Sequence, residues 1–163
     1  MGSGKTSVAA MVAGSLGWPV SDSDEEILRT TGKSVRRLQA EIGSAAMHEL
    51  EADNLMMALR RTGPSVVCAA ASVVEDESCR SALSAADVVT VWLRASPATL
   101  AARFRSAEHR PVFGDDPLLF LDEQLTARAA LFEMVSRRVI DVDERTVPEV
   151  SREILSYLDS IQS

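Results

Sequence analysis

The sequence is poor in the residues that announce special architectures. Only two cysteines, Cys68 and Cys79, stand among its 163 residues. They form no CxxC pair and lack metal-ligand spacing, which excludes a disulfide framework or zinc module and fits reduced thiols in a cytoplasmic protein. No apolar run approaches the roughly 20 residues of a membrane span. The opening MGSGKTSVAA has the character of neither a signal nor a transit peptide. Positive charge is also scarce: 17 Lys and Arg face 24 Asp and Glu, a net charge of -7. That balance speaks against non-specific nucleic-acid binding and against anionic membranes. Aromatic residues make up 4%, too few for the basic aromatic surface on which bases stack. Repeats, low-complexity tracts and long linkers are missing as well.

What remains is ordinary globular composition, 46% hydrophobic and 25% charged, enough for one domain over residues 1–163. Along the chain, helical periodicity alternates with short apolar runs. Helices are expected at 5–16 (Val8, Met11, Val12 and Leu16 inward), 24–31, 34–42, 44–61, 76–84, 97–107 and 118–136. The last of these should bury Leu118, Leu121, Leu125, Phe132 and Val135. A final helix opens at Pro148, with Val150, Ile154, Leu155 and Leu158 inward. Strands are expected to end near Asp22 and to cover 65–69, 88–93 and 138–143. VVTVWL is apolar enough to be buried on both faces. Residues 106–117, SAEHRPVFGDDP, read as a mobile lid. The alternation predicts an α/β fold, a parallel sheet with helices on both faces. Ligands of such sheets bind at the carboxyl ends of the strands.

The chemistry is densest at the start. Gly2-Ser3-Gly4-Lys5-Thr6, followed by Ser7, matches the end of the phosphate-binding pattern GxxxxGK[ST]. Glycines let backbone N–H groups approach phosphates, and the helix beginning at Lys5 points its positive end at them. Lys5 is placed to reach the β- and γ-phosphates of ATP, and Thr6 to ligand Mg²⁺. The pattern's first glycine, and the strand that feeds such a loop, would precede residue 1. The expectation is that a central strand is missing, that about ten residues lie upstream, and that the chain as written binds ATP poorly.

Beyond the loop come Asp22-Ser23-Asp24, Thr31-Gly32, VVTVWLRASPATLAARF, the Arg110-Pro111 pair, and Arg128-Ala129-Ala130-Leu131-Phe132. This ordered set resembles the shikimate kinase family. The resemblance implies a fold of the P-loop nucleoside monophosphate kinase type and transfer of the γ-phosphate of ATP to a hydroxyl of shikimate, a step in aromatic amino acid biosynthesis. It implies Lys5 and Arg110 as charge stabilisers, and Thr6 and Asp22 at Mg²⁺. Asp24 is implied at the acceptor hydroxyl and Arg128 at the acceptor carboxylate. Arg103, Arg145 and Pro148 fall on the adenine side. Each also has a plainer reading: Asp22 and Asp24 as helix caps, Arg110 as a solvated cation, Arg128 as a salt-bridge partner.

Two departures fall in the acceptor pocket. Where the family carries an Arg in F-R-x-x-E, this chain has His48 in Met47-His48-Glu49-Leu50-Glu51. Imidazole lacks the planar two-pronged contact of guanidinium. Where the family carries Gly-Gly-Gly after its third strand, this chain has Ala69-Ala70-Ala71, so Ala70 narrows the pocket and any position needing positive φ would be strained. The expected function is a shikimate kinase-like phosphotransferase, monomeric and cytoplasmic, with neither nucleic-acid nor membrane partners. The alternatives are a kinase for another small hydroxylated acceptor and a catalytically impaired nucleotide-binding regulatory module.

Overall fold

The computed structural model describes residues 2–105 and 117–162. Helix α1 (Lys5–Leu16) leads to strand β1 (Val20–Asp22), α2 (Ser23–Thr31) and the long α3 (Val35–Leu59). Strand β2 (Val66–Cys68), a 3₁₀ turn (Ala71–Glu75) and α4 (Glu77–Leu83) follow. The chain then runs through β3 (Val91–Arg94), α5 (Pro97–Arg105), α6 (Pro117–Val135), β4 (Arg138–Asp141) and α7 (Val147–Gln162).

Local chemistry accounts for most boundaries. Asp22 caps α2, Ser34 caps α3 and Asp76 caps α4, each accepting a backbone N–H of the first turn. Ser96 accepts the Thr99 N–H at 3.2 Å ahead of Pro97, as its sequence position predicts. The two helices expected on either side of Gly43 run on as one, but Gly43 itself is non-helical (φ 82°, ψ 167°) and kinks α3. Only glycine holds that conformation without strain. The 3₁₀ turn at 71–75 has no counterpart in the sequence reading; five residues are too few for periodicity to register.

Strand pairing among the described residues is parallel. Val20, Ser21 and Asp22 of β1 stand opposite Val66, Val67 and Cys68 of β2. Val91 to Arg94 of β3 stand opposite Arg138 to Asp141 of β4. The four strands form two separate two-stranded sheets, and no strand precedes α1 among the described residues. Helix α1 spans both. Its Val8 and Val12 share one apolar cluster with Val66 of β2, Val91 and Leu93 of β3, Ile140 of β4, and Val150 and Ile154 of α7. A second cluster joins Leu55 of α3 to Val73, Val74, Cys79, Leu83 and Val135. Trp92 of β3 stacks on Phe132 of α6 with ring centroids 5.1 Å apart, which docks α6 against the second sheet.

Three details differ from expectation. Met11 and Leu118 are exposed rather than inward; each sits at the margin of its helix's apolar stripe, where periodicity cannot separate core from rim. Strand β3 begins at Val91, three residues later than expected, and only Trp92 in it is fully buried. Both of its faces are covered nonetheless, Val91 and Leu93 packing into the α1 and α7 cluster while Trp92 stacks on Phe132 of α6. Cys68 and Cys79 are free and buried, and burial pushes their thiols up to about 12 and about 11, into the inert range. Among the described residues, no helix is long and apolar enough to cross a membrane.

Candidate active site

The nucleotide side is built by backbone geometry. Gly4 takes the left-handed conformation (φ 86°, ψ 15°) at the N-cap of α1, and no side chain among the described residues caps the helix. The first N–H groups of α1 are therefore left to an outside acceptor, as an anion site requires. A Cβ added at Gly4 would meet nothing within 4 Å; the glycine is needed for its φ, and the space above it is open. Lys5 is half-buried, while Thr6 and Ser7 are exposed in the first turn. Lys5 lies close enough to Cys68 for its charge to act on that thiol.

Thr6 and Asp22 meet across 16 positions of sequence. The Thr6 hydroxyl donates to Asp22 Oδ2 at 2.8 Å. The other carboxylate oxygen of Asp22 accepts the Asp24 N–H at 2.9 Å. Asp22 thus has the capping role read from sequence, and it also holds Thr6, a contact the sequence did not reveal. Thr6 and Asp22 offer hard oxygen donors, and no group of three or more His, Cys, Asp or Glu suited to a metal occurs among the described residues. That donor set fits Mg²⁺, which keeps waters and takes further ligands from phosphates instead of an all-protein cage.

Arg103 closes the loop from the other side. Its guanidinium donates to the Gly2 carbonyl at 3.0 Å and to the Val142 carbonyl at 3.2 Å, tying the phosphate loop to the end of β4. Arg145 donates to Glu153 Oε2 at 2.5 Å and to the Glu149 carbonyl at 3.3 Å. Pro148 lies in the first turn of α7, where its missing N–H costs nothing. Arg110 and the lid expected at 106–117 lie outside the described residues except for Pro117.

Residues expected at the acceptor lie near Glu51, which is 9% exposed on α3. The Ser72 hydroxyl, at the head of the 3₁₀ turn, donates to its carboxylate. Burial raises the Glu51 carboxyl above its ordinary range, the Ser72 bond opposes this, and the charges of His48, Asp24 and Arg128 are all felt there. Of the residues expected at the acceptor, His48 and Arg128 are brought together directly. His48 and Arg128 share a partner that the sequence reading missed. Glu75 accepts from Arg128 Nε at 2.7 Å through one oxygen, and its other oxygen lies 3.3 Å from His48 Nδ1. Arg128 is a salt-bridge partner, as its plainer reading held, but an inward one: its side chain is only 14% exposed.

Glu51 could have been read from its place at the end of the His48 segment. Ser72 and Glu75 carried no comparable signal, because their importance depends on what lies opposite them. No alanine of the run takes the positive φ that would strain it. Ala70 sits at φ −65°, ψ 152°, and no described residue other than glycine has positive φ. Ala69 and Ala70 pack against the Leu55 and Val73 cluster.

A glycine-bent loop at a helix N-terminus, a strand-end aspartate on its threonine, and parallel strands under helices define a P-loop phosphotransferase. The family model for shikimate kinase matches residues 1–159. The chain belongs to the shikimate kinase family, and is an ATP-dependent small-molecule kinase. It is 34% identical to the shikimate kinase of Corynebacterium efficiens over 97% of this chain and 92% of that one. It is 32% identical to the shikimate kinase of Paramagnetospirillum magneticum over 98% and 83%. Its fold matches the shikimate kinase of Acinetobacter baumannii solved in complex with shikimate, with a TM-score of 0.88 and 24% identity over 98% of this chain and 89% of that one.

Proposed function

We propose that this chain transfers the γ-phosphoryl group of ATP to a hydroxyl of shikimate, with Mg²⁺ held at Thr6 and Asp22. The observation that carries the reading is the hydrogen bond from Thr6 to Asp22. It joins the end of β1, next to the first turn of α2 that bears Asp24, to the first turn of α1, and this nearness supports a transfer between two bound substrates. Whole-length similarity to enzymes named shikimate kinase supplies the acceptor.

Phosphoryl transfer is mainly positioning and electrostatic stabilisation. The open N–H groups of α1, with Gly2, Ser3 and Gly4, cradle the phosphates. Lys5 stabilises charge on the transferring group, and Arg110 joins it from the lid. Bound Mg²⁺ neutralises phosphate charge. Asp24 orients the acceptor hydroxyl and takes its proton. Arg128, with weaker help from His48, holds the acceptor carboxylate, and Ala70 lines the pocket. Arg103 fixes the loop, and Arg145 and Pro148 flank the adenine side. The protein acts as a cytoplasmic monomer. Full-length family similarity does not favour an impaired regulatory module.

ADP release measured with and without shikimate tests this. Shikimate-dependent release with Mg²⁺ present is expected. ATP binding that shikimate never stimulates would point to another acceptor, and failure to bind ATP would remove the kinase reading.

A further inference from the structure

Glu75 ends the 3₁₀ turn at 71–75, and its carboxylate lies between α3 and α6. One oxygen takes the Nε proton of Arg128 at 2.7 Å; the other faces His48 Nδ1 at 3.3 Å. These are the two side chains assigned above to the acceptor's carboxylate. An internal carboxylate thus already holds the contacts that an incoming one would seek. With Glu75 paired to Arg128, and with Asp24 and Glu51 nearby, the pocket offers little net positive charge to an anion. Arg128 is largely buried and anchored on a long helix. Glu75 is 41% exposed at the end of a short turn, so Glu75 is the partner that can swing away.

We infer that Glu75 is a specificity-determining residue of the acceptor pocket, whose carboxylate occupies the seat of the acceptor's carboxylate between Arg128 and His48 and must be displaced before an anionic acceptor binds. The inference rests on the shikimate reading and deepens it. It explains how a pocket with Arg128 retained discriminates against carboxylates generally: only an acceptor whose hydroxyls also engage the site recovers the lost ion pair. The competition lowers ground-state affinity and leaves the chemical step to other residues, so its signature lies in KM for the acceptor.

The test is Glu75→Gln in the full chain, with Glu75→Ser as a second variant should the first fold poorly. Shikimate and its carboxamide analogue are compared by ADP release and by calorimetric binding. The expected result is a fall in shikimate KM of roughly tenfold in the variant, with the carboxamide binding both proteins alike. Unchanged or raised shikimate KM would overturn the inference, showing that Glu75 orients Arg128 instead of competing for it; the shikimate reading would survive, because both proteins would still turn over. An equal gain for the carboxamide would also overturn it, since relief would not depend on the acceptor's charge. Absence of shikimate binding in both proteins would remove the acceptor reading and this inference together.

Discussion

The two halves of the site are built by different means. The half proposed for the nucleotide rests largely on backbone: a left-handed Gly4 and a helix start with no described side chain capping it, braced by Thr6 on Asp22 and Arg103 on the Gly2 carbonyl. The acceptor half rests on side chains from three elements, with Glu51 held by Ser72, and with Arg128 and His48 drawn onto Glu75. A backbone site has little freedom to vary while still binding phosphate. A side-chain site can be retuned by single substitutions. The division of labour suggests that damage to the first half abolishes turnover, while damage to the second shifts acceptor affinity.

The sharpest test of that contrast is Lys5→Ala. Removing the cation proposed to stabilise the transferring phosphate is expected to lower kcat by about 10³-fold, with thermal unfolding unchanged because the half-buried side chain contributes little core. A loss mainly in shikimate KM would break the comparison at its strongest point. Asp22→Asn comes next. Asparagine still caps α2 through the Asp24 N–H, so folding is retained, while loss of charge beside Thr6 should cut turnover by about 10²-fold and weaken the response to Mg²⁺. Equal turnover in the two proteins, measured across a Mg²⁺ titration, would reduce Asp22 to its capping role.

On the acceptor half, Arg128→Lys is expected to raise shikimate KM by about tenfold while sparing KM for ATP. Lysine keeps the charge but loses the planar fork. A change confined to ATP KM would put Arg128 on the wrong side of the site.

The same contrast explains what could be read beforehand. The phosphate loop was legible because its glycines and Lys5-Thr6 are contiguous and their chemistry is local. Asp22 was legible because it ends a strand in a parallel sheet, where ligands gather. Helices α1 and α7 followed from periodicity, and α2 and α5 from their caps. The acceptor half was legible only in its parts. Arg128 and His48 stand 80 positions apart in the chain, and nothing local says that Glu75 will stand between them. Alanines 69–71 would be strained only where positive φ is needed, and none of them has it; a residue type reveals a backbone requirement only when the requirement exists. The division into two sheets depends on pairing between distant segments, while Leu118 and Met11 show how a stripe's margin escapes periodicity.

The mildest test concerns Glu51, where the acceptor half meets the core. Burial raises its carboxyl in the folded protein above the ordinary value of 4.5, against the pull of Ser72 and nearby cations. The folded state then binds the proton more tightly than the unfolded chain. Its contribution to stability is fully present below pH 4.5 and is lost as pH rises through the raised value. Glu51→Gln lacks this titration while keeping an oxygen to accept from Ser72. Relative to wild type, the variant should gain in Tm between pH 4 and pH 7 by about 1–3 °C, with shikimate KM altered more than kcat. Parallel Tm curves across that range would mean that Ser72, His48 and Arg128 fully offset the burial of Glu51. The acceptor half would then be as electrostatically settled as the phosphate loop, and the contrast between the halves would lie in affinity alone.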